Sequence, residues 1–208
     1  MAQPLSRERI LEAALEIVDR EGLAALSMRR LGDALGVEAM SLYNHVPNKA
    51  ALHDGVYEQI LESVAPAPKK ATWKEHALHQ GRALRDALAR HPRAIPLFAS
   101  RPATTHASLA RLEGQLRVLR AAGLAPLEAL HTIQIVVAFV VGHAMWSFGR
   151  PGDDTAPPPY EGLDPHAFPH VREVAKALVR YDPAQEFAIG LEALVDGLAR
   201  AHKKRAKD

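Results

Sequence analysis

The chain has 208 residues, 48% of them hydrophobic and 24% charged, with a formal net charge of +2, which suits one or two domains able to bury a proper core. Cysteine is absent, which excludes disulfides and thiolate metal sites. The longest apolar stretch, 133–148, is interrupted by Gln134, His143 and Ser147, and the opening MAQPLSRERI has no apolar core, so neither a membrane span nor a signal peptide is expected.

Helical periodicity runs along the whole chain, and no strand-like alternation persists beyond a few residues. Residues 6–21 set Ile10, Ala13, Ala14, Ile17 and Val18 on one face, and Gly22 ends the run. Ser27 stands at an N-cap, its hydroxyl aimed at the free N–H groups of a short helix carrying Met28, Leu31, Ala34 and Leu35 at helical spacing. Gly36 supplies the left-handed turn that ends this helix, Val37 fills the corner, and a second short helix over 38–45 buries Leu42. Pro47 stops it, and Asn48 caps a third helix whose Leu52, Val56, Ile60 and Val64 form a stripe ending before Pro66 and Pro68. This is the layout of a helix-turn-helix, which lays its second helix in the major groove of DNA. The same layout also occurs as a plain core corner.

Thr72 and Glu75 then form a capping box that opens a helix reaching about residue 90. Pro92, Pro96 and Pro102 restrict the next stretch to short helical pieces. Leu109, Leu112, Leu116 and Leu119 repeat at helical spacing up to Gly123, and Pro126 suits the first position of a long apolar helix to residue 148. After a loop rich in Pro, Gly and Asp at 149–165, a short helix is expected over 171–180. A final helix starts at Asp182-Pro183 and runs to about 202. The two late helices carry small residues: Ala129, Ala138, Gly142 and Ala144 in one, Gly190, Ala193 and Gly197 in the other. A glycine inside a helix costs about 0.5–1 kcal/mol relative to alanine, so close helix-on-helix approach is expected to offset it. Core packing within one monomer is one explanation. The favoured one is a homodimer pairing 126–148 and 183–202 with their copies in a four-helix bundle, which sets two recognition helices one DNA turn apart on a palindrome.

Charge distribution complicates a DNA-binding reading. Residues 1–65 hold six Lys and Arg against ten Asp and Glu, a net of −4. The acids cluster in the first helix, whereas Arg29, Arg30 and Lys49 lie in the motif, so binding is expected to depend on a specific site with weak affinity for random DNA. The C-terminal RAHKKRAKD is read as a solvated basic tail.

The run LGVEAMSLYNHVPNKAAL resembles the DNA-binding signature of the TetR family of bacterial repressors, with the similarity spanning about residues 6–62. The resemblance implies that Arg29 contacts DNA, that Ala39, Met40 and Ser41 face base edges, and that Tyr43, His45 and Lys49 hold phosphates. Ser27 and Asn44 complete the candidate set. The family often has polar residues, Pro or Gly where this chain has Ala39 and Met40, so readout is expected to lean on apolar contact with thymine methyls.

Farther along, Trp73 after its Thr cap, Ser100-Arg101-Pro102, Glu113-x-Gln115-Leu116, Ala122-Gly123, Gly142 and FAIGLEALVDGL are similar to the effector domain of tetracycline-repressor-like members of that family. This implies a ligand cavity inside each subunit, walled by the middle helices. The position of their magnesium-binding histidine falls at about Leu97 and a second polar pocket position at Ala138, so a more apolar effector is expected. Candidate lining residues are Phe98, Arg101, Gln115, Gln134, Phe139, His143 and Trp146, with plain core packing as the competing reading of each aromatic.

Eleven histidines raise a metal or catalytic reading. His166 and His170 are four apart near Asp164, but Pro169 intervenes; His76 and His79 have only Glu75 nearby. No catalytic or phosphate-loop motif is present. The reading is therefore an all-α protein, with an N-terminal three-helix DNA-binding domain at 1–65 and a larger C-terminal effector-binding and dimerisation domain at 66–208. Its expected function is a cytoplasmic repressor that binds a palindromic operator as a homodimer and is released by a small, largely apolar ligand. No cofactor, metal or enzymatic activity is expected. The alternatives are a DNA-binding regulator without a small-molecule effector and an enzyme or carrier on the same fold.

Overall fold

The structure is a computed structural model and describes residues 4–100, 104–148 and 160–205. Among these residues there are ten α-helices and no strand. Helix α1 (Arg7–Glu21) begins where the Ser6 hydroxyl accepts from the Arg9 N–H at 3.3 Å and ends at Gly22, whose φ of 87° only glycine adopts cheaply. Its buried face is Ile10, Leu11, Ala14, Ile17 and Val18; Leu11 takes the place expected for Ala13 because it lies over Gly55 of α4 (Lys49–Glu62).

Helix α2 (Met28–Leu35) is capped by Ser27, which accepts from the Arg30 N–H at 3.2 Å, and closes on Gly36 in the left-handed region at φ 67°. The expected buried face is altered at one point. Ala34 is exposed, and Gly32 is buried instead, because the turn folds back over it: a Cβ there would stand 2.8 Å from the Val37 carbonyl oxygen. Helix α3 (Ala39–Leu42) is shorter than the 38–45 read from the sequence. Past Leu42 the backbone tightens into a turn in which the His45 and Val46 N–H groups both donate to the Leu42 carbonyl. Pro47 explains this, since a residue preceding proline is pushed out of the helical region. Asn48 then caps α4, accepting from the Ala51 N–H at 2.8 Å.

The C-terminal half opens with α5 (Trp73–Arg90) behind the Thr72–Glu75 capping box. A 3-10 turn at Pro92–Ala94 leads into α6 (Ile95–Ser100), followed by α7 (His106–Ala121) and α8 (Pro126–Phe148). Helix α9 (Pro169–Ala177) starts two residues before the expected 171 and gives way to a 3-10 turn at Leu178–Arg180; α10 (Pro183–Arg205) closes the described chain. Helix α8 is long and apolar enough to cross a membrane by length and composition alone. Here it is the central helix of the bundle, packed against α5, α6, α7 and α10.

One continuous apolar core runs from Ile10 and Leu31 through Ile60 and Leu88 to Val140 and Leu191. The two halves therefore share packing, with α4 resting on α1, α5, α6 and α7. A polar clamp reinforces the joint: His91 Nδ1 lies 2.9 Å from the Asp19 carboxylate, and Arg93 donates to the Asp19 and Arg20 carbonyls. The late glycines divide. Gly190 accepts the ring of Phe139, which a Cβ would meet at 2.6 Å, so that glycine is explained within the monomer; Gly142 has no such neighbour within 4 Å.

Candidate functional site

Two places concentrate chemistry. The first is the outer edge of α2, α3 and the start of α4. Arg29, Met40, Tyr43, Asn44 and Lys49 are exposed there, while Ala39, Ser41 and His45 are half-buried. Met40 is 73% exposed, an unusual position for a large apolar side chain on a short helix whose other face is anchored by Leu42. Ser27 has a structural task as the α2 cap. Arg30, beside Arg29, is turned away into a two-point contact with Glu21, which holds that carboxyl below its ordinary range. Arg29 and Lys49 form no ion pair among the described residues, so these cations of the motif stay available to phosphates.

The second place is a partly open cavity of about 610 Å³ lined by α4, α5, α6, α7 and α8. Leu84, Leu112, Val136, Val137 and Val141 form apolar walls; of the leucine stripe of α7, Leu112 and Leu119 face the cavity, Leu116 packs against the cluster of Leu119, Leu124 and Ala129, and Leu109 is exposed. Tyr57 and Leu61 of α4 form part of the lining, with the Tyr57 ring 4.7 Å from that of Phe98. A polar group gathers at His76 and Gln80 of α5 and Arg111 and Gln115 of α7; Arg111 Nη2 donates to the side-chain Oε1 of Gln80. The Nε2 of His76 is buried without a hydrogen-bond partner. Burial, then the neighbouring His79 and Arg111, pushes the His76 pKa down, and burial likewise lowers that of Arg111 and raises that of Tyr57.

Of the cavity residues expected from the sequence, Phe98, Gln115 and Gln134 line it, as does Ala138. Three others are placed elsewhere. Phe139 stacks on Phe187 of α10 at 5.5 Å; His143 sits 5.1 Å from the Phe187 ring; Trp146 is 64% exposed. Phe139 and His143 belong to a separate cluster between α8 and α10, in which the Arg85 guanidinium lies 5.0 Å from the Phe187 ring. Burial first, then Arg85, holds the His143 pKa low against the opposing pull of Glu186. Arg101 lies outside the described residues, and Leu97 is packed in the core rather than on the cavity wall. The sequence reading did not select Tyr57, His76, Gln80 or Arg111 for the cavity. Their signal was available as two polar pairs one helical turn apart, His76 with Gln80 and Arg111 with Gln115, each beside apolar wall positions.

Among the described residues no group of three His, Asp or Glu side chains is placed to hold a metal. His166 uses its backbone N–H to reach Asp164, and His170 lies 3.9 Å from Glu173 on an exposed face.

Comparisons with known proteins fall in line with this geometry. Residues 10–56 match the family model described as bacterial regulatory proteins, tetR family, and residues 65–201 match that of the tetracyclin repressor-like C-terminal domain. The chain is 30% identical over 200 residues to the class D tetracycline repressor protein of Escherichia coli, covering 93% of this chain and 88% of that one. It is 34% identical over 139 residues to an HTH-type transcriptional regulator of Saccharopolyspora erythraea, covering 66% of this chain; the aligned part spans only 59% of that relative's own length. Among solved structures, ActR of Streptomyces coelicolor in complex with actinorhodin superposes with a TM-score of 0.81 at 30% identity, over 97% of this chain and 98% of that one.

Proposed function

Since this chain belongs to the TetR family of bacterial regulatory proteins, we propose that it is a transcriptional repressor that grips a palindromic operator as a homodimer and releases it when a small organic ligand enters the α4–α8 cavity. The observation that carries this reading is the double membership of α4. Its N-terminus, capped by Asn48, follows directly on the recognition turn, and its middle supplies Tyr57 and Leu61 to the cavity lining. A ligand pressing on Tyr57 shifts the helix on which the DNA-binding edge rests. Linkage then requires DNA to weaken ligand binding by the factor by which ligand weakens DNA binding. That ActR, of the same fold, has been solved with actinorhodin bound supports a ligand site in this architecture.

The dimer draws support from apolar side chains left outside the monomer core. Leu127, Ile135 and Trp146 on α8 and Ile189 on α10 are exposed, as are the small Ala138 and Gly142. On α9 and just before it, Phe168, Val171 and Val174 are exposed too, and α9 buries none of its residues in the monomer. The division of labour falls near residue 65, ahead of the Thr72 cap. Base contacts are assigned to Ala39, Met40 and Ser41, phosphate contacts to Arg29, Tyr43, Asn44, His45 and Lys49. The protein acts in the cytoplasm, where its DNA lies, without cofactor or catalysis.

The test is selection of genomic fragments by the purified full-length protein, followed by gel retardation. The expected outcome is an inverted repeat with half-sites about one helical turn apart or a multiple of it. Failure to enrich any fragment refutes the reading.

A further inference from the structure

The lining of the cavity is electrostatically one-sided. Among the described residues that line it there is one arginine and no aspartate or glutamate. Several arginines elsewhere sit beside acids: Arg7 with Glu58, Arg30 with Glu21, Arg82 with Glu192, Arg117 with Glu113. Arg111 forms no ion pair among the described residues; its hydrogen bond goes to the neutral amide of Gln80. Guanidinium cannot shed its charge at physiological pH, so the cavity wall presents a positive charge without a counter-ion. One turn of α5 away, His76 adds a buried Nε2 with no partner.

We propose that the ligand of this cavity is an organic monoanion, a flat and mostly apolar body bearing one ionised carboxylate or phenolate that seats on Arg111. This rests on the reading of the cavity as the effector site. Each part of the ligand follows from a part of the wall. The planar fork of Arg111 matches a carboxylate in two-point contact, or a phenolate oxygen in one. His76 is held neutral by its burial, so the wall offers one full charge and matches a single negative charge. The Tyr57 and Phe98 rings, together with the valines of α8, form the apolar surface against which a ring system lies. Tyr57 feels the charge of Arg111 and stands on α4, so an anion seated on Arg111 sits next to the helix that carries the DNA-binding edge.

Two dyes of one skeleton test the charge: 8-anilinonaphthalene-1-sulfonate, a monoanion, and N-phenyl-1-naphthylamine, its uncharged counterpart. Both are titrated by fluorescence into the full-length protein and into Arg111→Met. Wild type is expected to bind the anionic dye more tightly by about tenfold or more, the size of effect one charge-assisted hydrogen bond supplies. Arg111→Met is expected to lose that preference while binding the uncharged dye as before, which also shows that the cavity is intact. Equal affinity of wild type for the two dyes, or a preference that survives in Arg111→Met, overturns the proposal and leaves the cavity reading standing. Uptake of neither dye overturns both. Should Arg111→Met not fold, the wild-type comparison decides alone.

Discussion

Replacing Gly32 by alanine tests whether the helix-turn-helix angle is set by backbone contact. In an ordinary helix interior the change stabilises by about 0.5–1 kcal/mol, because alanine loses less conformational freedom on folding. Here the new Cβ would stand 2.8 Å from the Val37 carbonyl oxygen, 3.2 Å from the Ala39 nitrogen and 3.4 Å from the Ala39 Cα. All three are backbone atoms of the turn and the first residue of α3, so no flexible side chain can swing aside. Overpacking of this kind costs about 1–3 kcal/mol, and the net expectation is a loss of about 1–2 kcal/mol in urea unfolding. The relief route is a displacement of α3 by a few tenths of an ångström, which moves Met40 relative to the DNA, so affinity for a fragment selected by wild type falls as well. Gly114→Ala is the matched control: it lies within α7 with no neighbour within 4 Å of a Cβ and is expected to gain about 0.5–1 kcal/mol. If Gly32→Ala proves as stable as wild type and binds the selected fragment equally well, the close approach does not set the motif's geometry.

Met40→Ala is expected to leave stability within about 0.5 kcal/mol, because the side chain is exposed, yet to weaken the selected site and relax base preference there, as a binding-site selection with the variant would show. DNA affinity is expected to fall only shallowly with salt: Arg29 and Lys49 on each of two protomers give about four phosphate neutralisations and a log–log slope near −4, read by fluorescence anisotropy from about 50 to 300 mM salt. Stability is expected to drop as pH is lowered. His76 and His143 are depressed by burial in the folded state, so their contribution is complete above the unfolded histidine value near 6.5 and is lost as pH falls through it. Urea midpoints at pH 7.5 and 5 check this, and the pair His76→Gln and His143→Gln should flatten the difference.

Local chemistry made much of this fold legible in advance. Ser6, Ser27, Asn48 and Thr72 each cap the helix they precede, and Gly22 and Gly36 each take the positive φ that ends one. Such signals act within four residues and need no knowledge of neighbours. Cavity walls are different, because an apolar face toward a void repeats at the same spacing as one toward a filled core. On α8 the consequence can be read in pairs. Ala138, Gly142 and Met145 line the cavity, whereas Phe139, His143 and Trp146 do not. Each of the latter is one residue further along and so about 100° further round the helix. Size and aromaticity drew the sequence reading to these larger neighbours. The rotation of α8, fixed by Phe139 against Gly190 and Phe187, sets the smaller and solvent-exposed residues on the cavity wall instead.

The acidic character of residues 1–65 acquires a physical meaning in the same way. Arg7 is taken up by Glu58 and Arg30 by Glu21, so part of the acid content serves to tie α1 to α4 and to α2. What remains on the recognition edge is Arg29 and Lys49, with Met40 as the most exposed side chain of α3. A surface built this way carries little general attraction for phosphate, since the surrounding acids cancel the long-range field. On the proposed function, it is expected to gain affinity only when the edge is seated closely enough for the unpaired cations and the methionine to act together. Specificity under that proposal then depends on how rigidly that edge is held: α3 packs on α2, α2 on α1, and α1 on α4, which also forms part of the cavity lining. A binding mode with a small electrostatic reserve is released by a small displacement. On the proposed function, a helix shift that would leave a strongly basic protein on its DNA is expected to be enough here to remove it.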